Sequence, residues 1–227
     1  MVIFLIAFVL LLVIGVPISI SIGASAVLGC LSLGYPLVVI GQKMVSGIDS
    51  FLLIAVPLFI LAGNLMNAGK ITEKIFDTAK ELVGWIPGGL GHANVVASII
   101  FAGMSGSAVA DAGGLGAIEM EAMKKNGYDE DFAGAVTAAS SVIGPIFPPS
   151  IPLIIYGSVA SVSVDQLFMG GVVPGLLMGV LLMVMVLYFA IVRRYERHPF
   201  RLRALIRQFL GSIPALITPV IILCGFV

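Results

Sequence analysis

The sequence predicts an all-α membrane protein, and three observations carry that prediction. Of its 227 residues 59% are hydrophobic and 11% are charged, where a soluble domain has roughly 45–50% and about 25%; the mean hydropathy is +1.16. The charges are spaced to leave six uncharged runs, 1–42, 50–69, 82–110, 132–164, 166–192 and 208–227. Two of these runs carry clusters of glycine, serine and proline at membrane depth, where a plain membrane helix has aliphatic side chains. Such a chain cannot cover a water-exposed globule with polar surface, which excludes an ordinary cytosolic enzyme. With 12 basic against 12 acidic residues, no basic face remains for nucleic acid. Cys30 and Cys224 sit apart in apolar runs, without the paired spacing of a disulfide framework or a metal site.

The first run is long enough for two crossings of a hydrocarbon core that needs about 20 apolar helical residues, with Gly15, Val16 and Pro17 as the turn. Met1–Ile14 has no positive n-region, so it reads as a first membrane helix rather than a cleaved leader. After the run 50–69, the stretch KITEKIFDTAKE (70–81) sets Ile71, Ile75, Phe76 and Ala79 on one helical face, the pattern of a helix lying along the interface. Trp85 follows as an interfacial anchor. Asn64 and Asn67 read as interhelical hydrogen-bonding groups, with the transport path as the alternative. His92, without an acidic or histidine partner at ligand spacing, reads as structural.

The run 82–110 and the residues beyond it contain Phe101-Ala-Gly-Met-Ser-Gly-Ser-Ala-Val-Ala-Asp111. In hydrocarbon an unpaired backbone group costs several kcal/mol, so irregular backbone at that depth lines a cavity or is buried in protein. The segment reads as a helical hairpin with its tip at Ser105, Gly106 and Ser107. Asp111, the only carboxylate between 82 and 118, reads as a group that orients the hairpin or couples an ion or proton. The run 132–164 contains Pro145, Pro148, Pro149 and Pro152, which cannot continue an α-helix. That span must break into two half-helices, whose free carbonyls suit a hard cation and whose free N–H groups suit an anion. The next span is 166–192, and Arg193, Arg194, Arg197, Arg201, Arg203 and Arg207 then place the 193–207 loop in the cytoplasm by the positive-inside rule. No HExxH, GxSxG, P-loop, CxxC or paired-carboxylate arrangement with a base is present. The chain therefore reads as no enzyme, and without a P-loop it does not itself hydrolyse ATP.

The stretch GMSGSAVADAGGLGAIEMEAMKKNGYDEDFAGAVTAASSVIGPIFPPSIPLIIYG (Gly103–Gly157), with VPLFILAGNLMNAG (Val56–Gly69) and LFMGGVVPGLLMG (Leu167–Gly179), resembles the large membrane subunit of tripartite ATP-independent periplasmic (TRAP) transporters. The resemblance implies a first repeat like that of the ion-transporter superfamily, with a re-entrant hairpin and a proline-broken helix. It further implies sodium-driven import of an organic anion, such as a C4-dicarboxylate or sialic acid, across the bacterial inner membrane by an elevator motion. The implied partners are a small membrane subunit, a periplasmic substrate-binding protein and the lipid bilayer, with sodium as coupling ion and no other cofactor.

Carried onto this chain, Ser105, Gly106, Ser107, Gly144 and Pro145 would supply a sodium site, and Ser141, Pro148, Pro149 and Ser150 would line the substrate side. The implied organisation is scaffold helices in 1–69, an arm in 70–90, hairpin and broken helix in 91–165, a membrane helix in 166–192, the cytoplasmic loop 193–207 and the start of a further helix in 208–227. Counting back from that loop puts the N-terminus in the periplasm. The family's large subunit is nearly twice this long, so only the first repeat is expected here, as a fragment, split subunit or truncated form. A sodium:carboxylate symporter that needs no binding protein, and a non-transporting membrane scaffold, remain open as alternatives.

Overall fold

A computed structural model describes residues 2–49, 51–195, 205–213 and 217, and among these every regular element is helical. The chain divides into two compact units, Met1–Phe51 and Leu52–Val227. In the first, α1 (Val2–Val13) and α2 (Ile18–Ser32) pack together about a turn at Gly15, whose φ of +87° favours glycine, and α3 spans Val38–Ile48. Gly29 of α2 faces Phe4 of α1, where a Cβ would make an ordinary contact at 3.5 Å with Phe4 Cβ. At 12 and 15 residues, α1 and α2 are shorter than the two full crossings the first run predicts. Proline and left-handed turns at 15–17 and 34–36 end each helix early. Among the described residues one uninterrupted helix is both long and apolar enough to cross a membrane, Val164–Arg193.

The second unit runs α4 (Phe51–Ala68), α5 (Ile71–Val83), α6 (Gly89–Ser105), a single turn α7 (Ala108–Ala110), a π-helical turn (Asp111–Leu115), α8 (Gly116–Lys125), α9 (Glu130–Ser141), α10 (Ile151–Ala160) and α11 (Val164–Arg193). The stretch predicted as an amphipathic helix forms α5, and its apolar face is buried in protein: Ile75 and Ala79 are fully covered and Phe76 nearly so, packed against α6. The face that suggests an interfacial helix is thus covered by neighbouring helices. A further cover comes from helical residues 205–213, which begin inside the predicted cytoplasmic loop. There the Ser212 hydroxyl lies 2.7 Å from that of Thr78 and donates to the Lys74 carbonyl at 3.2 Å. Residues 196–204, 214–216 and 218–227 of that loop and of the predicted following helix lie outside the described residues, Cys224 among them; Cys30 is a free, half-buried thiol.

The core of this unit lies among α5, α6, α8, α9 and α11, filled by Leu90, Phe101, Met104, Leu115, Met123 and Val186. Small residues draw the helices together, as is usual where aliphatic burial cannot distinguish protein from lipid. A Cβ on Gly91 would stand 2.8 Å from Val186, and one on Gly179 2.6 Å from Ile99. At one end the α8–α9 connection is tied to the end of α11. The Arg193 guanidinium pairs with Asp129, and the Tyr195 hydroxyl donates to Asp129 Oδ2 at 3.0 Å. The rings of Tyr128 and Tyr195 stack at 4.2 Å, while Arg193 sits 5.4 Å over Phe132. Tyr128 in turn accepts the Leu90 N–H at the start of α6, and burial pushes its phenol up to about 12.

Candidate functional site

The hairpin predicted from the glycine-serine segment is formed by α6 on one side and α7, the π-turn and α8 on the other. α6 ends because Gly106 takes a left-handed conformation, φ +57°, with its N–H closing on the Ala102 carbonyl. Ser107 then starts the return by accepting the Ala110 N–H at 3.4 Å. The tip is therefore Ser105–Gly106–Ser107.

The proline-rich span breaks where its prolines require, between α9 and α10. Turn hydrogen bonds from the N–H groups of Val142, Ile143, Gly144, Ile146 and Phe147 wind the chain off the end of α9. Ser150 restarts the helix as its N-cap, accepting from the Leu153 N–H, with Pro152 in the first turn. The Ser150 hydroxyl also donates to the Pro145 carbonyl at 2.5 Å, closing the turn on itself. The Pro148–Pro149 peptide is cis.

Hairpin tip and break meet. The Ile151 N–H donates to the Gly106 carbonyl at 3.2 Å. A Cβ on Gly106 would stand 2.8 Å from the Pro149 carbonyl oxygen, and one on Gly144 would stand 3.3 Å from the Ser107 carbonyl carbon. The structure thus brings Gly106 against Pro149, Ser150 and Ile151, and Gly144 against Ser107. Ser105 is 2% exposed and its hydroxyl has no hydrogen-bond partner. The Ser141 hydroxyl donates back to the Thr137 carbonyl at 2.8 Å. The arrangement is a close-packed, uncharged contact in which the Gly106 and Pro145 carbonyls accept from the Ile151 N–H and the Ser150 hydroxyl; carbonyls and hydroxyls are the donor type that a hard monovalent cation takes.

Behind the tip runs a buried polar row. Asn94 Nδ2 donates to Thr137 at 2.8 Å, Ser140 donates to Asn94 Oδ1 at 2.7 Å, and Ser98 donates to Ser140 at 3.1 Å. Asp111, 1% exposed, faces the hydroxyls of Ser98 and Ser141, and Glu119 on α8, fully buried, lies within electrostatic reach of Asp111. No carboxylate oxygen of either residue has a hydrogen-bond partner. Asn94, Ser98 and Glu119 escape sequence reading. The spacing 94, 98 and 105, which lines three polar groups along one face of an otherwise apolar helix, is the available signal for two of them. Glu119 gives none, because it looks like one more charge past the end of an uncharged run. His92 is buried at 2% exposure. Among the described residues no group of three or more His, Cys, Asp or Glu side chains gathers to hold a metal ion.

A cavity of about 420 Å³ opens beside the tip, between α4 and the returning strand of the hairpin. Asn64 and Asn67 of α4 line it together with Ser105 and Ser107. Asn67 is already engaged by the Thr72 hydroxyl at 3.1 Å.

Comparison with known proteins gives these features a context. The family described as the DctM component of the tripartite ATP-independent periplasmic transporter matches residues 5–227. The chain is 51% identical over 185 residues to the sialic acid TRAP transporter large permease protein SiaM of Vibrio cholerae, covering 81% of this chain and 43% of that protein. It is 41% identical over 189 residues to the 2,3-diketo-L-gulonate TRAP transporter large permease protein YiaN of Escherichia coli, covering 83% of this chain and 44% of that one. With the C4-dicarboxylate TRAP transporter large permease protein DctM of Vibrio cholerae it shares 38% identity over 192 residues, covering 84% and 42%. The chain spans under half the length of each of these three proteins. With its hairpin and broken helix matched within that span, the chain belongs to the DctM family, the large permease component of TRAP transporters.

Proposed function

We propose that this chain works in the bacterial inner membrane as part of a sodium-coupled importer of organic acids. Residues 91–165 form the part that binds and moves, carried as an elevator against scaffold helices in 1–69 through the arm 70–90. A periplasmic binding protein delivers the acid and a small membrane subunit packs beside the chain. The N-terminus is periplasmic and the 193–207 loop cytoplasmic. The observation that supports this most is the seating of the hairpin tip on the proline break, where Gly106 meets Pro149–Ile151 and Gly144 meets Ser107. Two interruptions far apart in sequence meet in one contact of backbone carbonyls and serine hydroxyls, with the unpartnered Ser105 hydroxyl beside it. Sodium there is held by Ser105, Gly106, Ser107, Gly144 and Pro145, and the acid lies on the side of Ser141, Pro148, Pro149 and Ser150. Asp111, behind the tip, orients the hairpin. The solutes in the relatives' names, a sialic acid, 2,3-diketo-L-gulonate and C4-dicarboxylate, support an organic acid as the cargo.

The test is thermal unfolding of the detergent-solubilised protein in sodium against potassium at equal ionic strength. A cation bound only by the folded state stabilises it by about 1.4 kcal/mol at ten times its Kd. The expected result is a sodium-specific rise in Tm that is lost in Ser105→Ala and Gly144→Leu. Equal Tm values in the two salts count against a cation site at this contact.

A further inference from the structure

We infer that Glu119 is a proton-binding site: the folded hairpin holds this side chain inside the protein as the neutral carboxylic acid. The inference goes beyond the permease reading and depends on neither its cation nor its cargo. The buried residues of α8 are Gly116, Glu119 and Met123, so an acid occupies the middle of the inward stripe. Glu119 is 0% exposed, while Ile118 and Met120 beside it are only half-buried. That inverts the usual order of burial, in which glutamate is almost never enclosed unless paired. Both of its carboxyl oxygens are buried without a hydrogen-bond partner. The packing on either side is close. One turn before it a Cβ on Gly116 would stand 2.6 Å from Thr137 Cγ2, and one turn after it Met123 Cε lies 3.9 Å from where a Cβ on Gly91 would be.

Among the described residues no cation balances a charge at this position. The elements packed chiefly against α8 are α6, α9 and the π-helical turn. α6 carries one titratable group of its own, His92, and no hydrogen bond joins it to Glu119. α9 carries Glu130 and Asp131 in its exposed first turn, and the π-helical turn carries Asp111, a second buried acid within electrostatic reach. On α8 itself Lys124 pairs with Glu130 at 2.8 Å and Lys125 with Glu121 at 2.6 Å, all of them exposed. A carboxylate ion enclosed without a partner is far costlier than a neutral polar group in the same place. Uptake of one proton removes that difference, so the neutral acid is the form this interior admits. The folded state then keeps a proton that an exposed glutamate releases above about 4.3. The contribution of Glu119 to stability is therefore complete below that value and is lost as pH rises.

The experiment is infrared spectroscopy of the complete, detergent-solubilised transporter at about pH 7, well above the ordinary glutamate range. The unsubstituted protein is compared with Glu119→Gln, which keeps the shape of the neutral acid. The C=O stretch of a protonated carboxylic acid, recognised by its shift in deuterium oxide, should lose the intensity of one group in the variant. Chemical unfolding gives a second readout. Above about pH 4.3 the folded-to-unfolded ratio of the unsubstituted protein should fall, relative to Glu119→Gln, by up to about ten-fold for each pH unit. Asp77 is common to both proteins and cancels from that comparison. Identical infrared spectra, or parallel stability–pH curves, overturn the assignment. So does a Glu119→Gln protein that fails to fold or is less stable than the unsubstituted one at about pH 7, because the position would then require the ionised carboxylate.

Discussion

Gly106 and Gly113 answer to opposite constraints seven positions apart. Gly106 combines φ +57° with a Cβ position 2.8 Å from the Pro149 carbonyl oxygen, so Gly106→Ala meets both left-handed strain and a clash with backbone. Its expected cost is about 1–3 kcal/mol in chemical or thermal unfolding. Gly113→Ala enters open space and should instead stabilise by roughly 0.5–1 kcal/mol through helix propensity. Equal effects of the two substitutions would contradict the packing described at the tip. Asp77 on α5 supplies a pH test. Burial, with Glu73 and Glu81 adding to it against Lys80, holds its carboxyl above the usual 3.8. The folded state then binds this proton more tightly than the unfolded state, so stability falls as pH rises from near 3.8 through the raised value. Asp77→Asn should flatten the stability–pH curve in that window, measured by Tm at closely spaced pH values; an unchanged slope would show that Asp77 does not produce it.

Between elements, the join of α6 to α9 is polar where membrane helices are usually joined by shape alone. Asn94, Thr137, Ser140 and Ser98 form one connected set, each member buried. Asn94→Leu leaves the Thr137 and Ser140 hydroxyls short of a partner, at an expected cost of about 1–3 kcal/mol. A double-mutant cycle with Ser140→Ala should give a coupling of roughly 0.5–3 kcal/mol; strict additivity would mean that the pair does not act as a unit. The helices themselves are legible in the sequence, because prolines 145, 148, 149 and 152 and the left-handed glycine at 106 punctuate backbone locally. The partners of those breaks are not legible. That the 105–107 tip packs against 144–151 depends on how two segments about forty residues apart are brought together, and local pattern carries no such distance. Glu119 shows the same limit, since its burial is set by α8 turning inward, not by its immediate neighbours.

For the second unit as a whole, the tie between the α8–α9 connection and the end of α11 decides whether hairpin and long helix move together. Its ion pair is half exposed and such pairs are worth about 0–1 kcal/mol, whereas each stacked aromatic pair adds about 0.5–1.5 kcal/mol beyond its burial. Tyr195→Ala, which removes the stack on Tyr128 and the hydroxyl on Asp129, should therefore destabilise more than Asp129→Asn. Hydrogen exchange should rise around residues 126–131 in Tyr195→Ala; the reverse order of effects would put charge ahead of stacking. Length and composition place this unit in lipid, but they overstate how much of each uncharged run is helix, because α1 and α2 stop well short of the runs that contain them. The π-helical turn at Asp111–Leu115 bears on the same question of phase. A regular α-helix advances about 100° per residue, so two side chains eight apart point roughly 80° away from one another. The wider turn absorbs one residue, and eight positions then count as seven, about 20° from alignment. Asp111 and Glu119 consequently share the inward side of the hairpin. Deleting one residue of the turn would therefore leave a regular α-helix in the same phase with Glu119 still inside, whereas rewinding the unchanged residues as a regular α-helix would rotate everything beyond the turn by about 100° and carry Glu119 out of the interior.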